Sequence, residues 1–158
     1  MKNKRIIIDW GVLIAWMLLI FLMSNQPGEV SSKQSDLVIK IFSLVGIDLN
    51  SYLGSIATFI VRKAAHFTEY FILYSLSIRV LKQYIEIKRA RIYCLLIVLG
   101  YAITDEIHQY FVPGRAMALR DVLIDFSGGI FGYVINYFIY NLKNKKENKF
   151  ISKDDIVV

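Results

Sequence analysis

The chain has 158 residues, of which 56% are hydrophobic and 20% charged, and it carries a formal net charge of +6. The apolar fraction is above the about 45–50% of ordinary soluble domains, and it excludes a disordered chain, which lacks so much apolar side chain. The single cysteine, Cys94, excludes an intrachain disulfide and a zinc site built from several thiolates.

Four apolar stretches, taken in chain order, predict four transmembrane helices. They cover residues 6–23, 56–80, 92–112 and 122–140, and each is close to the about 20 residues that a helix needs to cross a bilayer. The second and third contain ionisable side chains, which weaken their hydropathy signal. The first could be the apolar core of a signal peptide, but it is long and no small-residue cleavage site follows it, so we interpret it as a retained helix.

The positions of lysine and arginine predict the orientation of these helices. Basic residues concentrate before the first stretch, between the second and third, and after the fourth: Lys2, Lys4, Arg5, Arg79, Lys82, Lys88, Arg89, Arg91, Lys143, Lys145, Lys146, Lys149 and Lys153. By the positive-inside rule these segments are cytoplasmic, so we expect a multi-pass protein of the cell membrane with both termini in the cytoplasm. Because orientation accounts for the basic charge, nucleic-acid binding is not expected.

The connection over residues 24–55 predicts an additional helix. Apolar residues recur there at helical spacing, at Leu37, Val38, Ile41, Leu44 and Val45, which is typical of a helix lying in the membrane interface. Ser31 and Gln34 resemble a capping box near its start. The predicted fold is therefore an all-α membrane protein, a four-transmembrane-helix bundle with an interfacial outer helix between helices 1 and 2. Residues 1–142 form the transmembrane domain, and residues 143–158 form a basic cytoplasmic tail.

In this topology, polar side chains of the second, third and fourth predicted helices, and of the turn before the fourth, fall into the outer half of the membrane. They are Arg62, Lys63, His66, Glu69, Asp105, Glu106, Gln109, Arg115, Asp121 and Asp125. Spacings of three and four residues place members of this set on shared helix faces. On the fourth helix the same spacing continues to Gly128 and Gly132, a G-x-x-x-G pattern that permits close packing between helices.

Charges inside a membrane cost at least about 2.5–3.5 kcal/mol on insertion scales, so clustered intramembrane charges favour a functional site. The competing interpretation is that they form interhelical ion pairs that only stabilise the bundle. Such pairs would join Arg62 or Lys63 to Asp105 or Glu106, and Arg115 or Arg120 to Asp121.

Three segments resemble motifs of the VanZ-like family, in the same order along the chain. Residues 63–70 (KAAHFTEY) are similar to K-x-x-H-F-x-E-Y, residues 105–115 (DEIHQYFVPGR) to D-E-x-x-Q-x-F-x-P-G-R, and residues 121–128 (DVLIDFSG) to D-x-x-x-D-x-x-G. The family is associated with low-level teicoplanin resistance. The resemblance therefore implies a membrane protein of the cell envelope, and it implies no particular reaction.

Three hypotheses for the function follow, and the first is binding of an anionic envelope ligand at the outer leaflet. Arg62, Lys63, Gln109 and Arg115 are its candidate ligand-binding residues, since guanidinium and ammonium groups hold phosphate or carboxylate. A lipid-linked cell-wall precursor or a lipoglycopeptide is the expected partner, beside the lipid bilayer itself.

The second hypothesis is a membrane-embedded enzyme acting on a lipid-linked substrate. Its candidate catalytic residues are His66, Glu69, Asp105, Glu106, Asp121 and Asp125. Histidine and carboxylates suit zinc or manganese, and His66 beside Glu69 could instead act as a general base. A proton-coupled transporter is the third hypothesis and ranks last, because no inverted repeat is visible. The sequence leaves the cofactor and the oligomeric state open.

Overall fold

The computed structural model describes residues 2–154, with side chains over residues 3–143 and at residue 145, and this part of the chain contains helices and no strand. The helices are α1 (Lys2–Ser24), α2 (Gly28–Leu44), α3 (Leu49–Leu53), α4 (Ala57–Leu81), α5 (Ile87–Gln109) and α6 (Leu119–Asp154), with a 3₁₀ turn over Gly54–Ile56. The all-α class predicted from the sequence is confirmed.

α4 is the central helix of the bundle. It packs most extensively against α6 and also contacts α1, α2 and α5. Two glycines permit the close approach of α6: a Cβ on Gly128 would collide with the backbone carbonyl of Phe67, and one on Gly132 would meet the ring of Tyr74. The close packing predicted from the G-x-x-x-G pattern is therefore present, and it directs the preceding turns of α6 toward α4.

The outer surface of the bundle is apolar. On α1 alone, Ile7, Ile8, Leu18 and Leu22 are each more than half exposed. Residues Asn3–Ser24 of α1 and Leu119–Lys143 of α6 are each long and apolar enough to cross a membrane. Large apolar side chains pointing outward along helices of this length are typical of lipid-facing surfaces, because lipid tails are as apolar as the side chains themselves.

α2 and the segment Leu49–Leu81, which contains α4, are together long and apolar enough for one further span, but they are bent by 114° relative to each other. Such a pair is a broken span or a re-entrant segment, so the interfacial placement of α2 stays a prediction. The predicted capping box is wrong: α2 begins at Gly28 after Pro27, and no side chain caps it. Ser31 therefore lies within the first turns of the helix and not at its cap.

α5 has the length of a span, but its polar ends keep it below the apolar composition of α1 and α6. It packs against both α4 and α6, burying Cys94, Val98 and Ala102 in the core. The four-span arrangement thus stays a prediction for α5. The fourth apolar stretch continues as helix to Asp154, while residues 155–158 of the predicted tail lie outside the described residues.

Candidate functional site

One end of the bundle contains a polar cavity of about 130 Å³. α4 contributes Arg62, His66 and Glu69 to its wall, because steps of four and three residues place all three on the same helix face. Asp105 of α5 and Arg115 of the turn before α6 complete the charged lining. With residues of α1 and α2, five segments of the chain therefore meet at one space.

His66 links α4 to α6 through Asp125. The His66 Nδ1 and Asp125 Oδ1 atoms are 3.1 Å apart, a hydrogen-bond distance whose donor depends on the histidine tautomer. Asp125 is fully buried at 0% exposure. Its second oxygen, Oδ2, has no hydrogen-bond partner among the described residues. A buried carboxylate oxygen without a partner is energetically unfavourable, so this oxygen remains available to a ligand or a cation.

Gln109, which does not itself line the cavity, connects the carboxylate of Asp105 to the guanidinium of Arg115. Its amide Nε2 donates to Asp105 Oδ2 at 3.0 Å, and its Oε1 accepts from Arg115 Nη1 at 3.4 Å. Asp105 and Gln109 are both buried, one turn apart on α5. The amide therefore holds a carboxylate and a guanidinium in fixed positions without allowing them to pair directly.

The turn that carries Arg115 is fastened to the end of α1. Arg115 Nε donates to the backbone oxygen of Gln26 at 3.2 Å, and the backbone N–H of Gly28 donates to the oxygen of Pro113 at 3.1 Å. Gly114 adopts φ +72°, and a Cβ on Gly28 would collide with its backbone. Two glycines are thus required for this close contact, which fixes the position of the Arg115 side chain.

The two arginines of the cavity, Arg62 and Arg115, are not neutralised by direct ion pairs within the described part of the chain. The Nε of Arg62 is buried without a hydrogen-bond partner. Burial, together with the neighbouring Arg62 guanidinium, lowers the pKa of Arg115. The carboxylates of Asp105, Glu106 and Glu69 oppose this lowering of the pKa, so burial of the guanidinium is its main cause.

The remaining predicted site residues lie beside the cavity and not in its wall. Lys63 Nζ pairs with Asp121 Oδ2 at 2.6 Å, and Glu106 Oε2 accepts from the Ala118 backbone N–H at 2.9 Å. Arg120 Nε lies 3.8 Å from Asp121 Oδ1, but the two residues are neighbours on α6 and do not form an interhelical pair. The predicted pairs of Arg62 or Lys63 with Asp105 or Glu106 are absent among the described residues, because the ion pair between α4 and α6 joins Lys63 to Asp121.

α2 contributes polar residues to the cavity wall that were not predicted as part of the site. Ser31, Gln34 and Ser35 line the cavity beside α4, together with Ser24 at the end of α1. Ser31 and Ser35 are buried and one turn apart, so they form a narrow polar stripe on the face of α2 that packs against the cavity. That four-residue serine spacing is the signal by which the sequence could have identified them.

A larger apolar groove of about 520 Å³ adjoins the polar cavity. It lies between α2, α3 and α4, and its lining includes Phe42, Leu53 and Ile60. Four residues line both spaces: Val38, Val61, Ala65 and Glu69. A charged space therefore continues into an apolar one along the same face of α4.

Comparison with known proteins gives one match. The family model described as VanZ/LLP1 matches residues 10–140, a range that contains every charged residue of the cavity. No curated protein and no solved structure is significantly similar to the chain.

Proposed function

The chain belongs to the VanZ/LLP1 family, and on this premise we propose that it is a membrane protein whose polar cavity binds an anionic ligand of the cell envelope. The observation that carries the proposal is the pair of arginines in the cavity wall, Arg62 and Arg115. Neither has an acidic partner within ion-pair distance among the described residues. A guanidinium binds phosphate or carboxylate through two parallel hydrogen bonds, which suits it to this role.

The neighbouring apolar groove favours a ligand that is lipid-linked. The polar cavity, at about 130 Å³, has room for a small anionic group, whereas the groove of about 520 Å³ is lined mainly by apolar side chains. A ligand with a charged head and a hydrocarbon chain would place each part against matching surface. A lipid-linked cell-wall precursor or a lipoglycopeptide has this amphiphilic chemistry.

We place the cavity at the outer leaflet, because the basic segments at the other end of the helices favour the cytoplasm. Lipid-linked precursors and teicoplanin-type antibiotics meet the membrane at this leaflet. The proposed physiological role is therefore in the cell envelope, in resistance to such lipoglycopeptides. In a teicoplanin-sensitive bacterium, expression of the parent chain should raise the minimal inhibitory concentration, and expression of Arg115→Lys should not.

Binding is tested directly with the purified full chain and a radiolabelled polyprenyl phosphate in detergent. Loss of one charge-assisted hydrogen bond costs about 1.5–3 kcal/mol, so Arg115→Lys should weaken binding about 10- to 150-fold. The matched control is Arg120→Lys, because Arg120 lies at the same end of the bundle with a side chain that is 69% exposed. Equal affinities for the parent and Arg115→Lys would refute the anion-binding role.

A further inference from the structure

We propose that His66, Asp105 and Asp125 form a binding site for one divalent transition-metal ion, Mn²⁺ or Zn²⁺. One ligand atom from each of the three side chains lies within 4.8 Å of the other two. The three residues come from three different helices, α4, α5 and α6. The bundle itself therefore assembles the site.

One pair of donor atoms already has the spacing found around a single ion. Ligand bonds of about 2.0–2.2 Å place neighbouring ligand atoms about 2.8–3.6 Å apart in tetrahedral or octahedral sites. The 3.1 Å between His66 Nδ1 and Asp125 Oδ1 lies in this range, and the Asp105 carboxylate, whose ligand atom lies within 4.8 Å of both, would move closer to join them. An imidazole with two carboxylates is a donor set for borderline divalent ions, and it lacks the thiolates that would select a softer metal.

Two further observations point to a cation at this position. Asp125 is 0% exposed, and its Oδ2 has no hydrogen-bond partner in the described part of the chain, so a bound cation would offset the cost of burying its charge. Asp105 Oδ2 accepts from Gln109 Nε2 at 3.0 Å. Hydrogen bonds of this kind orient ligating carboxylates in metal sites.

The site has an open side toward the polar cavity. His66 and Asp105 line the cavity, and Asp125 lies behind His66. Three protein ligands leave at least one coordination position for water or an exogenous group, as in catalytic metal sites. A metal ion here would face the same space as Arg62 and Arg115. Metal binding itself requires neither arginine, so it can be measured without any envelope ligand.

The experiment uses the purified full chain, stripped with a chelator and then titrated with MnCl₂ and ZnCl₂. We expect one equivalent of metal by mass spectrometry and a rise in Tm on addition of the metal. Asp105→Asn and Asp125→Asn should each weaken metal binding at least tenfold, and Gln109→Ala about 10- to 100-fold.

Asp9→Asn is the matched control, because it removes another buried carboxylate, 4% exposed, from the opposite end of the bundle. It should leave the stoichiometry and the affinity for metal unchanged. The proposal is overturned if the parent binds no metal, or if Asp105→Asn binds it as tightly as Asp9→Asn does. Asp125 is 0% exposed, so Asp125→Asn could fail to fold. Asp105 lies at the cavity wall, and Asp105→Asn therefore still tests metal binding in that case.

Discussion

Asp9 in α1 and Asp125 in α6 are both buried carboxylates, yet their surroundings differ. Asp9 Oδ1 accepts from Arg79 at 2.5 Å, and its Oδ2 accepts from Gln83 at 2.9 Å. Both oxygens are therefore satisfied within what we call the Asp9 cluster, which comprises Asp9, Arg79 and Gln83. Asp125, by contrast, keeps one oxygen without a partner in the described structure.

The cluster around Asp125 and the Asp9 cluster differ in the same way. The cavity cluster, defined as Arg62, His66, Glu69, Asp105, Arg115 and Asp125, surrounds an internal space and includes cations without acidic partners among the described residues. In the Asp9 cluster the carboxylate is already neutralised by an arginine. A pocket of about 340 Å³ also adjoins the Asp9 cluster, but there the carboxylate is already paired. The cavity cluster instead keeps charged groups without ion-pair partners in the described structure, and these groups can bind a ligand.

The largest expected effect concerns the sides of the membrane on which the two clusters lie. Single-cysteine labelling with a membrane-impermeant reagent in intact cells should be all or none. Glu29→Cys, near the cavity, should be labelled, and Glu86→Cys, near the Asp9 cluster, should be labelled only after lysis. Both glutamates are exposed, and the native Cys94 is buried. Labelling of both variants, or of Glu86→Cys alone, would contradict the orientation.

The next effect compares stability at the two ends. Arg79→Met leaves the 3% exposed side chain of Asp9 without its cation, but the Arg79 side chain is itself 50% exposed. We therefore expect a loss of about 1–2 kcal/mol in the free energy of unfolding, between the values for exposed and for buried pairs. Arg62→Met removes a guanidinium whose Nε is buried without a partner, so it should change stability by less than about 1 kcal/mol. Chemical unfolding in detergent measures both. Equal losses of stability in the two variants would contradict the proposed difference between the Asp9 cluster and the cavity cluster.

The sequence predicts contacts within one helix better than contacts between residues that are far apart along the chain. The shared face of Arg62, His66 and Glu69 follows from helical spacing alone, and the structure confirms it. The pairing of Arg79 with Asp9, 70 residues away, does not follow, because it depends on the rotation of each helix within the bundle. The choice of Lys63 rather than Arg62 as the partner of Asp121 is unpredictable for the same reason.

A third prediction concerns function at the cavity cluster. Glu69→Gln preserves the shape of the side chain but removes its charge, and Glu69 lines both the polar cavity and the apolar groove. We expect a loss of resistance at nearly normal membrane levels, because the carboxylate can accept a hydrogen bond from a hydroxyl or an amine of the envelope ligand. The affinity for polyprenyl phosphate should not fall, because a carboxylate repels a phosphate. Asp9→Asn should do the opposite, lowering Tm without a loss of function in the folded protein. Parallel loss of abundance and function in Glu69→Gln would instead favour a purely structural role.

The smallest expected effect is at Lys63, which lies in the same layer as the cavity cluster but pairs with Asp121 at 2.6 Å. Both side chains are mostly buried, at 16% and 14% exposure, but Arg120 Nε lies 3.8 Å from Asp121 Oδ1 and remains as a second cation. Loss of the Lys63 ammonium should therefore cost about 1 kcal/mol. Lys63→Met keeps an unbranched apolar side chain and removes the ammonium, whose Nζ lies 5.4 Å from the centroid of the Phe59 ring.

If Lys63 has only a structural role, like Arg79 in the Asp9 cluster, Lys63→Met should lower Tm slightly. Its affinity for the polyprenyl phosphate should then stay within about twofold of that of the parent, as expected for a residue outside the binding site. Arg120 near Asp121 Oδ1 would then partly replace the lost cation. If Lys63 belongs to the ligand-binding site, as predicted from the sequence, the same variant should lose affinity as strongly as Arg115→Lys. The affinity of Lys63→Met relative to that of Arg115→Lys therefore shows whether Lys63 is part of the ligand-binding site or only of a structural ion pair.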